Sequence, residues 1–119
     1  MFSRRRWTRR SASGVSPVGL LLELAFYPIG TGSPSVSSEV AEVVRALEEA
    51  GFEPEVLPMG TLLELESFEE ALEAIRVARE AALGVVDRAV FVIRIDERRD
   101  VELSAEGKVE SVLRELGRR

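Results

Sequence analysis

The stretch LLLELAFYPIGTGSPSVSSEV, residues 20–40, decides the fold because a strand, a loop and the start of a helix follow one another in it directly. Side chains alternate over residues 20–29 between an apolar face and a mixed face, which is typical of a β-strand with one buried side. Glycine and proline interrupt regular structure over residues 30–34. From Val36 onward, valine and leucine recur at helical spacing until Gly51, which is placed to end a first helix.

Residues 52–59 and 62–66 are two further strand candidates, separated by a very short connection. The first contains two prolines, which indicate an edge strand or a bulged ladder. The turn at residues 59–61 is tight enough to join the two strands directly. These residues therefore predict a β-hairpin.

A second amphipathic helix is predicted to begin after Ser67, because Ser67 and Glu70 have the spacing of a capping box, and to end near Gly84. Residues 88–96 then alternate as a last strand, and a terminal helix follows from about Ser104. The terminal helix has an apolar side made of Val109, Val112, Leu113 and Leu116.

The resulting order, βαββαβα, predicts an α+β fold. With right-handed crossovers the elements form a ferredoxin-like βαββαβ sandwich, in which a four-stranded antiparallel sheet carries both main helices on one face. The terminal helix is an addition to that arrangement.

The sheet face that the helices leave uncovered is predicted to mix aliphatic and charged side chains. Its predicted members are Glu23, Tyr27, Leu62, Glu64, Val90, Val92, Arg94 and Asp96. Soluble proteins tend to cover such a patch with a partner, so we expect a dimer or tetramer assembled through this open face. The charges drawn together there either bind a ligand or form salt bridges that fix the oligomer, and the pattern alone leaves both open.

Composition removes most catalytic chemistry. The chain of 119 residues contains no His, Cys, Asn or Gln, which excludes a Ser-His-Asp triad, a catalytic thiolate and a His-ligated zinc. Lys108 is the only lysine among 16 basic residues, and this arginine-rich composition without thermolabile amides fits a thermophile or a GC-rich genome.

Charge is distributed unevenly along the chain. Five arginines precede every acidic residue, so that 11 basic residues face 21 acidic ones in the remainder of the chain. The acidic remainder should repel nucleic acid. Residues 1–17 look at first like a signal peptide, but Glu23 interrupts the apolar run and no cleavage site follows. We expect residues 1–17 to be a disordered basic extension and residues 18–119 to be the domain, with no membrane span.

The sequence fits three common binding chemistries poorly. GTGS at residues 30–33 begins like a phosphate loop but lacks the continuation that a P-loop or a dinucleotide fingerprint needs. IDERRD at residues 95–100 alternates in charge sign and lacks calcium-loop spacing, so no metal is expected. TLLELE at residues 61–66 has no aromatic residue on which an RNA base could stack. The backbone N–H groups that open the first helix still suit an anion or a polar ring edge, whereas the plainer interpretation is a turn with a helix cap.

Three segments together carry a family resemblance: PIGTGSPSVSSEV, GFEPEVLPMGTLLE and RAVFVIRIDERRD, followed by KVESV. In order and spacing they resemble the YkoF-like thiamine-binding family of small ferredoxin-like proteins, over about residues 20–113. The chain departs from the family pattern after PMGT, where ELE replaces a Glu-Gly step, and in its basic extension.

The resemblance implies a cytoplasmic, non-enzymatic homo-oligomer that binds thiamine or its hydroxymethylpyrimidine moiety, as a carrier, sensor or buffer, without a cofactor. The ligand-binding positions that it implies are Thr31, Ser33, Ser35 and Ser37 in the first loop, Met59, Gly60, Thr61 and Glu64 around the hairpin, and Arg94 and Asp96 on the last strand. An aminopyrimidine offers amino protons that the Glu64 carboxylate can accept, and an acidic face suits the thiazolium cation.

Two alternatives belong to other classes of protein. One is a structural or regulatory oligomeric protein without a small-molecule ligand, in which the charged face is only an interface. The other is an enzyme that uses carboxylates alone as acid and base.

Overall fold

The computed structural model describes residues 19–118 and confirms the predicted α+β, ferredoxin-like class. The elements are β1 (Leu20–Ile29), α1 (Ser37–Glu49), β2 (Glu55–Leu57), β3 (Gly60–Leu65), α2 (Phe68–Leu83), β4 (Arg88–Glu97) and α3 (Ala105–Glu115). The strands form one sheet in the order β2-β3-β1-β4 with every neighbour antiparallel. The predicted basic extension, residues 1–17, and the boundary at residue 18 lie outside the described residues.

The core lies between the sheet and the pair α1 and α2. Leu20, Leu22 and Leu24 of β1 are at most 3% exposed, because they alternate onto the face that the two helices cover. Helix α2 contributes only alanines to the fully buried set, and these small side chains let α1 and α2 approach each other closely. The largest fully buried side chain is Phe52, which was predicted to lie in a strand but instead precedes β2.

The capping box predicted for α2 is present in a slightly shifted form. The Ser67 hydroxyl accepts from the backbone N–H of Glu70 over 3.2 Å, as expected for an N-cap. The Glu70 carboxylate in return accepts from the N–H of Glu66 over 2.9 Å, one residue earlier than in the usual motif. Both interactions fix where the chain leaves β3 and α2 begins.

The second sheet face is only partly open, because the segment that leads into α3 covers one end of it. Leu103 is 5% exposed and packs against Leu21 and Leu62, and together they form a small second core. The sequence predicted that Leu62 would be part of an exposed patch, and this was wrong for that end of the face. At the other end Tyr27, Val90 and Val92 remain between 42% and 49% exposed.

The β4 strand is the least buried part of the sheet. Ile93 and Ile95 face the helix side, yet they are 36% and 39% exposed because β4 is an edge strand, whereas both helices contact the neighbouring strand β1. Across residues 19–118, no helix is both long and apolar enough to cross a bilayer.

Candidate functional site

The first loop satisfies many of its own polar groups. The hydroxyl of Thr31 donates to the carbonyl of Ser33 over 3.0 Å, and the N–H of Ser33 reaches back to that hydroxyl at 3.3 Å. The N–H of Ser35 donates to the Ser33 hydroxyl over 3.1 Å. Gly30 and Gly32 have φ values of 83° and 79°, which side-chain-bearing residues rarely adopt. The loop is therefore a defined turn built from the predicted glycines and hydroxyls.

None of these hydroxyls caps the helix that follows. The N-cap of α1 is Val36, which has no capping side chain, and Ser37 is the first helical residue. The predicted helix cap is thus absent, although backbone N–H groups still open α1 at this position.

A cleft of about 200 Å³ lies where the start of α1, β1 and the hairpin meet, and it is called the hairpin cleft here. Val36 and Val40 of the α1 segment form one wall, and Val56 and Met59 of the hairpin form another. Met59 stands at the rim and is 79% exposed. The walls are mostly apolar, which is typical of a small-molecule site, although the volume is below the usual range for a drug-sized ligand.

Thr61 supplies a buried polar group in the hairpin cleft. Its side chain is 5% exposed, and among residues 19–118 it is the one polar or charged side chain in the buried class. Its hydroxyl has no hydrogen-bond partner within the same residues. A buried hydroxyl without a hydrogen-bond partner costs about 1–3 kcal/mol of stability. A ligand that forms a hydrogen bond with this hydroxyl would remove that cost, which favours binding.

The wall of the cleft along β1 is an unpaired strand edge. Strand β1 pairs with β4 as far as Ile29, but its pairing with β3 ends at Leu24, opposite Thr61. Among residues 19–118, the backbone of Ala25, Phe26 and Tyr27, which lines the cleft, therefore has no strand partner on that side. Such an edge presents backbone donors and acceptors in a fixed spacing.

Gly60 closes the cleft at the turn. A Cβ atom at this position would lie 3.3 Å from the carbonyl oxygen of Leu24 and 3.4 Å from Cγ of Glu23. Glycine thus lets the hairpin come close to β1 at the point where the β1–β3 ladder ends.

The predicted charged residues lie on the other face of the sheet, and two of them, Glu64 and Asp96, contact the first part of α3. Arg94 forms a two-nitrogen contact with Glu23, and its Nε lies 2.9 Å from Glu23 Oε1. Lys108 Nζ donates to Asp96 over 2.7 Å. The carboxylate of Glu64 accepts from the N–H of Ala105 over 2.8 Å, at the first turn of α3. A carboxylate at a helix N-terminus is stabilising there.

Between α3 and the sheet runs a wider acidic groove of about 570 Å³, called the α3 groove here. Glu55 and Leu62 line it from the sheet, and Glu106, Val109 and Glu110 line it from α3. Among residues 19–118, no group of three acidic side chains is arranged to hold a metal ion.

One chain does not bring the ten predicted residues into a single pocket. Met59, Gly60 and Thr61 line the hairpin cleft, and Ser37 lines a groove that adjoins it. Thr31 lines a separate depression beside the α2–β4 connection. The predicted carboxylates and Arg94 face away from the cleft because β-strand side chains alternate between faces. The two sets are therefore separated by the thickness of the sheet.

Several residues that shape these sites were not singled out from the sequence. The sequence pattern predicts Val36 and Val40 as ordinary positions on the apolar side of the first helix, and it assigns no role to Leu103. The sole lysine, Lys108, belongs to the KVESV segment of the resemblance, and this was the one available signal for its contact with Asp96.

The connection from β4 to α3 carries its own ion pair. Arg98 donates to both carboxylate oxygens of Asp100 and thereby holds the pKa of Asp100 below its ordinary value. The same hydrogen bond raises the pKa of the Arg98 guanidinium. The pair is fully exposed, so it orders a turn rather than a buried site.

Comparison with known proteins gives a consistent result. The model of a family described as "Thiamine-binding protein" matches residues 22–113. A UPF0045 protein of Methanothermobacter thermautotrophicus is 45% identical over 91 residues, which span 76% of this chain and 92% of that protein. The UPF0045 protein YqgV of Bacillus subtilis is 37% identical over 101 residues, spanning 81% of this chain and 96% of that protein.

Two solved structures share the fold. Protein MJ1052 of Methanocaldococcus jannaschii has a TM-score of 0.70 at 33% identity and covers 80% of this chain and 96% of its own. A Thermotoga maritima protein assigned provisionally to thiamine biosynthesis or salvage has a TM-score of 0.65 at 18% identity. The match covers 78% of this chain and 97% of the Thermotoga chain. At that identity the second likeness concerns the fold alone.

Proposed function

We propose that this chain, which belongs to the thiamine-binding protein family, binds thiamine or its hydroxymethylpyrimidine moiety without catalysis, as a carrier, sensor or buffer. The observation that carries the proposal is the buried hydroxyl of Thr61, which has no partner within residues 19–118 and lies in an apolar cleft beside an unpaired strand edge.

The polar groups of the hairpin cleft are complementary to an aminopyrimidine. Such a ring presents nitrogen acceptors and an amino donor along its edge, and the Thr61 hydroxyl both donates and accepts. The β1 edge at residues 25–27 offers further backbone groups of both kinds. Val36 and Val40 provide apolar contact for the ring face.

The size of the cleft limits which part of thiamine enters it. At about 200 Å³ it suits a single ring better than the two linked rings of thiamine. The aminopyrimidine therefore occupies the cleft, and the thiazolium extends past the rim, where the Met59 thioether is available for contact with a ring. Free hydroxymethylpyrimidine uses the same contacts.

A binding role without chemistry agrees with the residues at the site. The chain has no His or Cys, and residues 19–118 place no acidic or basic side chain in the lining of the hairpin cleft. General acid–base catalysis needs a titratable group within hydrogen-bond reach of the reacting atoms. The Thr61 hydroxyl alone does not provide one.

The proposal includes a homo-oligomer, dimer or tetramer, formed through the uncovered end of the open face. Tyr27, Ile29, Val90 and Val92 lie together there on β1 and β4 and are 41–49% exposed. A contiguous apolar surface of this kind favours burial against a second copy. Because the other end of the face is covered by the α3 segment, the contact is limited to this apolar end.

Calorimetric titration with thiamine and with hydroxymethylpyrimidine tests the ligand directly, and two variants locate it. Thr61→Val removes the hydroxyl and keeps the shape, and it should weaken both ligands by roughly tenfold, which corresponds to about 1.4 kcal/mol. Glu64→Gln, on the opposite face, should leave both affinities unchanged. The reverse pattern would move the ligand to the open face, and absence of heat with both ligands at millimolar concentration would refute the proposal.

A second candidate is a structural or regulatory oligomeric protein without a small-molecule ligand. The exposed apolar end of the open face favours it, because that surface needs a partner whether or not the cleft is filled. Oligomers that form normally while neither ligand produces heat would support this candidate over the first.

A further inference from the structure

We propose that the hairpin cleft and the N-terminus of α1 together bind a phosphate monoester of hydroxymethylpyrimidine, with the ring in the cleft and the phosphate at the helix N-terminus. The inference rests on the proposed function, because the ring uses the same contacts, and it extends that function to an anionic ligand. Two neighbouring sets of hydrogen-bonding groups that have no partner within residues 19–118 carry it.

The first set is the row of backbone N–H groups that opens α1. The first hydrogen bond of the helix runs from the N–H of Val40 to the carbonyl of Val36 over 3.1 Å. The N–H groups of Ser37, Ser38 and Glu39 have no acceptor within residues 19–118. The N-cap side chain, that of Val36, is apolar and cannot accept from them. Because α1 has 13 residues, its dipole reinforces these N–H groups, and this end of the helix attracts an anion.

The second set is the buried hydroxyl of Thr61. Open N–H groups at a helix N-terminus are common and are often satisfied by water, so they do not by themselves indicate a ligand. Thr61, however, is 5% exposed and has no partner within residues 19–118. It lines the same cleft as Val36, the residue directly before the open N–H groups. The two sets together therefore indicate one ligand with polar atoms at both ends.

The hairpin cleft continues past the helix N-terminus into a second groove, which provides room for a substituent on the ring. This groove has a volume of about 530 Å³ and is lined by Ser37. It shares four lining residues with the cleft, namely Val36, Val40, Val56 and Pro58. A ring in the cleft can therefore direct its hydroxymethyl substituent toward Ser37, and a phosphate on that substituent then lies at the start of α1.

Charged side chains of α1 act on this position in opposite directions. Arg45 lines the second groove eight residues after Ser37, which places both on the same side of the helix. Its contact with Glu42 is exposed and 3.4 Å long, so it holds the guanidinium only weakly. Glu39, in the first turn, opposes an anion, whereas Glu48 lies about one turn beyond Arg45. The phosphate is thus favoured by the N–H groups and Arg45 and is weakened by Glu39.

Amide NMR spectra of the full-length protein locate the phosphate. The monoester should move the amide proton resonances of Ser37, Ser38 and Glu39 downfield, because these N–H groups then donate to an anion. Free hydroxymethylpyrimidine should move the same resonances much less, since it has no charged group at that position.

Calorimetric titration measures what the phosphate contributes. At low salt the monoester should bind roughly fivefold more tightly than free hydroxymethylpyrimidine, as expected for an anion at a helix N-terminus. The difference should shrink at an ionic strength of about 1 M, where the Debye length is about 3 Å. Glu39→Gln removes the opposing charge and should strengthen the monoester by roughly twofold while leaving the free pyrimidine unchanged. Glu49→Gln, at the other end of α1, is the matched control and should change neither affinity.

Thr61→Val separates this inference from the proposed function, because it should weaken the monoester and the free pyrimidine alike. If the free pyrimidine binds and responds to Thr61→Val while the monoester leaves the amides of residues 37–39 in place, the inference is overturned and the proposed function stands. If neither ligand produces heat, both are overturned. Inorganic phosphate that moves these amides as strongly as the monoester at equal concentration would also overturn the inference, because the ring would then contribute nothing.

Discussion

Thr61 and Glu64 are three positions apart on β3, and this odd spacing places their side chains on opposite faces of the sheet. Thr61 pairs with Leu24 at the end of the β1–β3 ladder and faces the hairpin cleft, whereas Glu64 pairs with Leu21 and receives the first N–H of α3. A substitution at one of the two positions therefore leaves the other face intact, so the roles of the two faces can be measured separately.

Thr61→Val should stabilise the ligand-free protein. The substitution removes a buried hydroxyl that has no partner within residues 19–118 and replaces it with a methyl group in an apolar setting. We expect the free energy of unfolding, measured by urea denaturation, to rise by about 1 kcal/mol. Thr61→Ser keeps the hydroxyl, loses a methyl group and should be less stable than the wild type. A less stable Thr61→Val protein would show that the hydroxyl is bonded in the native state.

The sequence was sufficient for the order of elements because the decisive signals are local. Alternation in β1, helical spacing up to Gly51 and the Ser67–Glu70 cap each act within a few residues, and all three are found in the structure. The β2 strand was predicted too long, because Phe52 looked like a strand residue when it is in fact a core side chain that precedes the strand.

The candidate site was less predictable because it depends on contacts between distant segments. Sequence spacing showed that Glu64, Arg94 and Asp96 share one face, and the strand register agrees. It did not show that Leu103 and Lys108 would bring α3 onto that face, since a helix can pack on either side of a sheet end. The family resemblance placed Thr61 and Glu64 among the same ligand-binding residues. In the structure they lie on opposite faces of the sheet, because side chains alternate along β3.

Leu103→Ala should detach α3 without unfolding the sheet. Leu103 is 5% exposed and joins α3 to Leu21 and Leu62, so truncation should remove about 2–3 kcal/mol of local stability. Hydrogen exchange should quicken over residues 105–115 while β1 and β3 keep their protection. Glu64→Ala should act in the same direction but more weakly, by about 1 kcal/mol, because water can replace the lost acceptor of the Ala105 N–H. Equal loss of protection in α3 and the sheet would contradict this model of attachment.

Asp100 should titrate below the ordinary range for an aspartate because Arg98 donates to its carboxylate. A lowered native pKa means that the pair contributes to stability above the unfolded pKa of about 3.9, and the contribution is lost as pH falls through the lower native value. Arg98→Ala should raise the pKa of Asp100. This pKa is measured from the pH dependence of the NMR chemical shift of the Asp100 side-chain carboxyl carbon. Arg99→Ala is the matched control and should leave the pKa low. An identical Asp100 titration in the wild type and in Arg98→Ala would show that the ion pair does not form in solution.

Val92→Lys should dissociate the proposed oligomer and leave the fold intact. Val92 is 49% exposed on the uncovered end of the open face and is paired with Ala25 of β1, so a lysine there is solvated in the monomer but buried without a counter-charge in a sheet-to-sheet contact. Light scattering after size-exclusion chromatography should show a lower mass at the same protein concentration, with an unchanged far-ultraviolet spectrum. Val85→Lys, at a position beside the end of α2 that is 43% exposed, is the matched control and should keep the wild-type mass. If both variants keep that mass, the contact lies elsewhere, whereas a smaller mass for Val92→Lys alone assigns the interface to the apolar end of the open face.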